Sequence, residues 1–235
     1  MDRLDLTAGV NYQFAGAAEP ATYYVADLSA VHAFPVVTQA TIQQTEQTHR
    51  TRAAFVNVEW HAADQFSLSG GLRYTKATHR LIDSCFRDAG DGTSAGALAF
   101  ISASLRAARG AAPRPELFVP GGCVTLDDEQ LPVLTNERFS ENNLSWRVNA
   151  SWKPDSDMLF YANASRGYKS GSYISTAVFV ASVYKNPVRQ ERNMAYELGA
   201  KLSLLDRRLQ LNGALFYYDL KDKQLLGTYR DIVIS

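Results

Sequence analysis

Five polar residues at strand spacing carry the strongest case for chemistry in this chain. Glu197 and Lys201 lie within Met194–Leu204, where Met194, Tyr196, Leu198, Ala200, Leu202 and Leu204 alternate with Ala195, Glu197, Gly199, Lys201 and Ser203. Arg147 and Asn149 occupy the polar positions between Leu144, Trp146, Val148, Ala150 and Trp152, and Arg73 stands in Gly70-Gly71-Leu72-Arg73-Tyr74-Thr75. Alternate residues on a strand share a face, so each stretch has one apolar and one polar side. Such a set can bind, by offering charge and hydrogen bonds to a polar ligand or a covering domain. It can equally pair across strands as solvated charges. Catalysis is a poor fit. No GxSxG, P-loop, HExxH or GxGxxG occurs, and Asp127-Asp128-Glu129 have no acid/base partner. His32, His49, His61 and His79 show no ligand spacing, so neither an enzyme, a metal site nor a cofactor is expected.

The elements that position these residues are long. Leu4, Leu6, Ala8, Val10, Tyr12 and Phe14 repeat the same alternation. Strands that cross a membrane need about 9–11 tilted residues, whereas ordinary strands run about 5–6. Length and alternation together predict an all-β fold, an antiparallel transmembrane β-barrel segment that is apolar outside and polar inside. Strand candidates fall at about 3–14, 51–60, 66–80, 143–152, 158–167, 193–204 and 209–220. Tight turns are expected at 61–65, 153–157 and 205–208, and long segments at about 15–50, 81–142 and 168–192. Short turns at one end and long loops at the other suit an outer-membrane barrel whose first strand runs outward. An Arg or Lys on the lipid face at mid-depth costs about 2–4 kcal/mol. Arg73, Arg147, Asn149, Glu197 and Lys201 are therefore expected to face the lumen. Arg166 and Lys169, near the outer end of their strand, are candidates for contact with an anion at the rim, or for interface anchors. Tyr161, Tyr168, Tyr196, Tyr217 and Tyr218 are girdle candidates.

Net charge is zero, which gives no electrostatic case for nucleic acid. No apolar run is long enough for a transmembrane helix. Residues Met1 to Thr7 lack a basic and apolar leader, so the chain is expected to be a piece of a longer protein, or to carry a mis-called start. The ending Ile232-Val233-Ile234-Ser235 reads as a loop or a further strand. Cys85 and Cys123 share the second long segment and are expected to form a disulfide closing about 37 intervening residues, the alternative being two free thiols. Residues 94–109, with Leu98, Ile101, Leu105 and Ala108 near helical spacing, predict a short helix inside that segment. Asp88-Ala89-Gly90-Asp91-Gly92 lacks the alternating acids of a calcium loop and reads as a turn.

Two stretches go further than a general barrel pattern. One is Leu159-Phe160-Tyr161-Ala162-Asn163-Ala164-Ser165-Arg166-Gly167-Tyr168-Lys169-Ser170-Gly171. The other is Met194-Ala195-Tyr196-Glu197-Leu198-Gly199-Ala200-Lys201, followed by Leu209-Gln210-Leu211-Asn212-Gly213-Ala214-Leu215-Phe216-Tyr217-Tyr218-Asp219. In letters, order and spacing these resemble the barrel domain of TonB-dependent outer-membrane receptors, as does Gly71-Leu72-Arg73-Tyr74-Thr75. The resemblance implies that residues 1–235 are a partial barrel domain, about seven strands of a barrel of about 22, with the plug domain and the C-terminal strands absent. Alone it would be an open, curved sheet. The resemblance also implies a Gram-negative outer-membrane location. Its partners would be membrane lipid and lipopolysaccharide, the plug of the same parent chain, TonB through that plug, and a small scarce ligand such as a ferric siderophore, haem, cobalamin or an oligosaccharide. Two other readings stay open: a small self-contained outer-membrane barrel (adhesin or porin-like), and a soluble lipocalin-like barrel. Leu144, Trp146, Val148 and Trp152 discriminate, since they face outward in a membrane barrel and inward in a soluble one.

Overall fold

The computed structural model describes residues 3–18, 21–24, 40–174, 179–225, 227–229 and 232–234. His32 lies outside them. The elements are β1 (Leu4–Ala18), β2 (Ala21–Tyr24), β3 (Ala40–Ala63), β4 (Phe66–Asp88), α1 (Thr93–Ala108), β5 (Thr135–Trp152), β6 (Met158–Lys169), α2 (Ala181–Tyr184), β7 (Glu191–Leu204), β8 (Leu209–Lys221), β9 (Gly227–Tyr229) and β10 (Ile232–Ile234). The sheet is antiparallel and unclosed, in the order β1-β3-β4-β5-β6-β7-β8, with β2 beside β3 beyond the end of β1. β9 and β10 form a separate hairpin.

All seven long strands predicted from the alternation are present. Three of them run well past the expected limits. β3 starts at Ala40 and has 24 residues, β4 reaches Asp88 with 23, and β5 starts at Thr135 with 18. The regular apolar alternation stops where the face ceases to be apolar, but backbone pairing continues, with β-bulges at Gln44/Glu46 and Leu81/Ser84 absorbing the change of register. The 61–65 turn shrinks to Asp64-Gln65, because β3 holds to Ala63.

The register assigns the faces. One row reads Leu4, Trp60, Leu68, Ala150, Ala162, Leu198, Leu215 across the sheet. The next reads Leu6, Val58, Gly70, Val148, Ala164, Tyr196, Tyr217. Leu144, Val148 and Trp152 are 45, 46 and 48% exposed on this face. The opposite face of β3 and β4 buries Thr51, Ala53, Ala77, His79 and Leu81. The four discriminating residues thus lie on the uncovered apolar side, as a membrane barrel requires and a lipocalin-like barrel forbids. The band drifts as tilted strands demand. It ends upward at Val10–Ala54–Tyr74–Leu144 on β1–β5 but at Tyr196–Tyr217 on β7–β8, and it reaches down to Leu204–Leu209 there.

The second long segment is a small folded unit. α1 occupies the predicted helix, and Phe86, Ala95, Ala97, Leu98, Phe118, Val124 and Leu126 form its core, with Ile101 packed alongside. Leu105 is exposed, so the apolar stripe stops a turn before the helix ends. Cys85 and Cys123 are joined in a disulfide. Asp88 organises the rest. Its carboxylate accepts the backbone N–H of Gly90 (2.8 Å), Gly92 (3.0 Å), Ala95 (3.0 Å) and Gly121 (3.0 Å). Gly90 and Gly92 have φ of 99° and 79°, which the turn needs and other residues resist. α1 carries no side-chain cap on its N-cap residue, Gly92, so Asp88 caps it from upstream. Burial alone would raise this carboxyl group, but the four backbone N–H groups outweigh that and hold its pKa below the usual value.

Two outcomes follow from this architecture. Val148→Arg, mid-band on the apolar face, is expected to cost about 2–4 kcal/mol of folding in a bilayer, whereas Asn149→Arg on the other face should be nearly neutral. Equal costs in a lipid-folding titration would contradict the face assignment. Asp88→Ala leaves four donors without their acceptor. It should cost about 1.5–3 kcal/mol of local stability, read as faster amide exchange at Gly90, Gly92, Ala95 and Gly121. Because the folded carboxyl has the lower pKa, its stabilisation is complete above the unfolded carboxyl pKa of about 4 and drains away as pH falls below that. Protection of these amides in wild type that is flat down to pH 2 would refute this role.

Candidate functional site

The sheet places Arg73, Arg147, Asn149, Glu197 and Lys201 all on the face opposite the apolar band. Asn149 pairs with Asn163, which pairs with Glu197, so these three form one row. Arg73 and Arg147 meet with Phe55, Asn57, Ser145 and Ser165 in one shallow depression. Arg73 donates from Nε to the Thr75 hydroxyl at 3.3 Å. The cross-strand pairing of charges entertained from the sequence is absent: among the described residues, none of Arg73, Arg147, Glu197 or Lys201 forms an ion pair. Tyr161 intervenes. Its hydroxyl donates to Glu197 Oε1 at 2.6 Å, and its ring lies across Gly199, where a Cβ would collide with it. Gly199 therefore sits between Glu197 and Lys201 for lack of room.

Tyr161 and Tyr218 therefore do not belong to a girdle. Both lie on the polar face, Tyr218 against Phe216 at 5.3 Å. Tyr196 and Tyr217 do share the apolar face, 6.4 Å apart. The two rim candidates separate. Arg166 lies on the apolar face at its upper edge, donating to the Tyr168 hydroxyl at 2.6 Å with its guanidinium over that ring. Lys169 lies on the other face, directly opposite Glu191.

Above the depression the polar face is roofed. His49 and His79, thirty positions apart in sequence, are cross-strand neighbours with ring centroids 4.3 Å apart. His79 stacks on Phe139 at 4.3 Å, and Phe139 meets Tyr173 edge-on at 5.1 Å. Glu141 anchors the incoming loop. Its Oε1 accepts the Ser170 hydroxyl at 2.5 Å and the Gly171 N–H at 2.8 Å, and lies 3.4 Å from His79 Nε2. Ser170 Oγ is also 3.2 Å from His79 Nε2. Gly171 is required here, since a Cβ would strike the Val188 carbonyl. Gln224 ties the same loop down from the chain beyond β8, donating to the Ser170 and Arg189 carbonyls. Tyr173 is buried, and burial with Glu137 nearby pushes its hydroxyl up to about 12. His79 touches His49 on one side and Glu141 on the other, and among the described residues no group of three or more His, Cys, Asp or Glu side chains could hold a metal ion. Glu141 and Asp88 have no signature in sequence, because what marks each is the backbone it gathers from a distant segment.

His79 titrates below an ordinary imidazole. Burial is the chief cause and the neighbouring His49 adds to it, while Glu141 opposes both. The folded roof thus favours neutral His79. Its stabilisation is complete above the unfolded imidazole pKa of about 6.5 and is lost as pH falls from there through the lower folded pKa. Amide exchange in residues 168–174, corrected for intrinsic rates, should quicken from pH 7 to pH 5, and His79→Phe should flatten that dependence. An unchanged slope in the variant would assign the effect elsewhere.

Comparison with known proteins places this geometry. Residues 2–232 match the family described as TonB dependent receptor-like, beta-barrel. A search of curated protein sequences finds no match. Among solved structures, the ferric yersiniabactin uptake receptor FyuA from Yersinia pestis superimposes with a TM-score of 0.63 at 18% identity, covering 96% of this chain and 27% of that one. The ferric-catecholate import receptor Fiu from E. coli K12, in its closed form, gives 0.57 at 19% identity, covering 97% and 30%. The copper transporter OprC gives 0.53 at 12%, covering 94% and 28%. The chain therefore spans under a third of the length of these structures. With the family pattern running through nearly every described strand and an open antiparallel sheet that superimposes on receptor barrels, the chain belongs to the TonB-dependent receptor β-barrel family, whose members are transporters and not enzymes.

Proposed function

We propose that this chain is part of the barrel of an outer-membrane receptor that imports a scarce ligand with energy transmitted through TonB. Residues 1–235 would supply about seven long strands of a barrel of about 22, the plug and the remaining strands lying elsewhere in the parent protein. The observation that carries this reading is the unclosed sheet. Among the described residues β1 and β8 each pair on one side, although their outward residues are apolar. Unpaired backbone edges are not tolerated in hydrocarbon, so further strands must complete the wall. The same incompleteness counts against a small self-contained barrel. The asymmetry of the connections supports an orientation with the short turns at the periplasmic side and the roofed end outside in a Gram-negative outer membrane.

In this reading the polar face lines the lumen and meets the plug. The depression that holds Arg73 and Arg147 has no acid among its described lining residues, which suits an acidic plug residue or an anionic ligand. The structures named above are receptors for ferric yersiniabactin and ferric catecholate and a copper transporter, and a metal chelate is the ligand class favoured here.

The test is uptake by cells whose sole candidate receptor is the parent protein of this chain. A panel of ferric catecholate, ferric phenolate and copper complexes is expected to yield at least one ligand whose accumulation stops when TonB is deleted, while binding at the cell surface persists. Passive accumulation of every panel member, unchanged without TonB, would leave a porin-like pore as the function.

A further inference from the structure

On the outward face, directly above the apolar band, lies a second charged constellation. Tyr12 pairs with Arg52 and Arg52 with Lys76 in one row; Phe14, Arg50 and Thr78 form the next. One step further, Arg80 stands directly opposite Arg138. Arg50, Arg52, Lys76, Thr78, Arg80 and Arg138 together enclose one cleft. The five cations are exposed, and among the described residues none of them is in an ion pair. Arg50 lies over the Phe14 ring at 5.4 Å. Two acids bound the patch: Glu46, two face positions above Arg50 on β3, and Asp83, which accepts the Asn136 side-chain amide at 3.0 Å beyond Arg138. Like charges directly opposite one another on adjacent strands are destabilising. Here two such pairs, Arg52–Lys76 and Arg80–Arg138, sit one above the other with Thr78 between their rows.

We propose that this cleft binds the phosphate groups of a phosphorylated glycolipid in the surrounding leaflet. The proposal rests on the membrane-spanning reading above and adds a site to it. Three features select a lipid over a free anion. The cations face the bilayer side and not the lumen. They begin at the row next above Val10, Ala54, Tyr74 and Leu144, along which acyl chains would lie. Aromatic residues Tyr12, Phe14 and Tyr74 mark the interface at the same height, where phosphate headgroups sit. The spread of cations over three rows, about 14 Å along the strands, suits a headgroup carrying more than one phosphate. Guanidinium groups hold phosphate oxygens through paired N–H donors, which a solvated ammonium does not.

The test uses the whole receptor purified in mild detergent, sorted for folded barrels by heat-modifiable mobility, with retained bisphosphorylated lipid A counted by mass spectrometry. The variant Arg52→Ala/Lys76→Ala/Arg80→Ala/Arg138→Ala is expected to retain at least about tenfold less lipid A than wild type. The control Arg208→Ala, in the turn before β8, should retain the full amount. Should the fourfold variant fail to fold, Arg80→Gln/Arg138→Gln is expected to lose most of the lipid A, and Arg80→Lys/Arg138→Lys, which keeps the charge but not the paired donors, to retain an amount between that and wild type. Dephosphorylated lipid A should not be retained, and inorganic pyrophosphate should displace the lipid only at far higher concentration. Undiminished retention by folded variants would overturn the site, and displacement by pyrophosphate at matched concentration would reassign it to a free anion. A receptor that never reaches the heat-modifiable form in lipid would overturn the membrane-spanning reading and this site with it.

Discussion

The constraint on which everything else rests is backbone hydrogen bonding in a medium without water. A strand in hydrocarbon has no solvent to satisfy its N–H and C=O groups, so each must find its partner on a neighbouring strand. From β1 through β8 the ladder runs in antiparallel register across the sheet, shortest between β5 and β6, where it spans Trp146–Arg166 to Trp152–Phe160. Once the ladder is fixed, alternation decides every side chain's destination, and a slip of one residue would move Arg147 into lipid and Trp146 into the lumen. The irregularities confirm the rule by where they fall. Bulges occur at Gln44/Glu46 and Leu81/Ser84, above the band where water can serve the orphaned groups, and at His61/Ala63 below it.

Above the membrane the sources of order change. The roof cannot depend on a lipid-facing stripe, so it is held by polar anchors that each collect distant backbone. Asp88 gathers four N–H groups from two segments. Glu141 holds the start of the third loop, and the Leu126 N–H and C=O bond to Phe179 and Ala181, joining the second loop to the third. The disulfide at Cys85–Cys123 closes the second loop beside Asp88. Both kinds of anchor act through backbone groups or a covalent bond, so neither depends on the side chains between the segments it joins.

The sequence made the membrane-crossing part of this design legible and hid the rest, for one reason. Alternation between Leu144 and Trp152, or between Met194 and Leu204, exists because lipid lies on one side, and it locates both the strands and the polar face. Beyond the band both sides are wet, the alternation loses its contrast, and the outer halves of β3, β4 and β5 read as loop. Arg50 and Arg138 fell in those segments, so the five-cation cleft was invisible although each of its members stands in a strand. The helix at 93–108 was legible because Leu98 and Ile101 pack on a local core. Tyr161 and Tyr218 show the opposite failure: residue type suggested an interface girdle, while parity, counted strictly from Phe160 and Tyr217, sends both inward.

Register also explains why cations on the apolar face are not misplaced. Arg166 shares its row with Trp146, Leu72, Val56 and Ala8, which are apolar. Were the strands upright, that row would lie at one depth and Arg166 would sit in hydrocarbon. The drift of the band across the sheet removes the conflict. On β6 the same row has already climbed to the interface, where Tyr168 receives the guanidinium, and by β8 it has reached Asp219. The position of a charge along a row is thus a gauge of strand tilt. Arg52 and Lys76 on β3 and β4 stand two rows further along their strands than Arg166 does on β6, yet tilt brings them toward a common height. With Arg192 opposite Lys221 on β7 and β8, one basic tier then runs along this face from β3 to β8, densest where Arg80 meets Arg138.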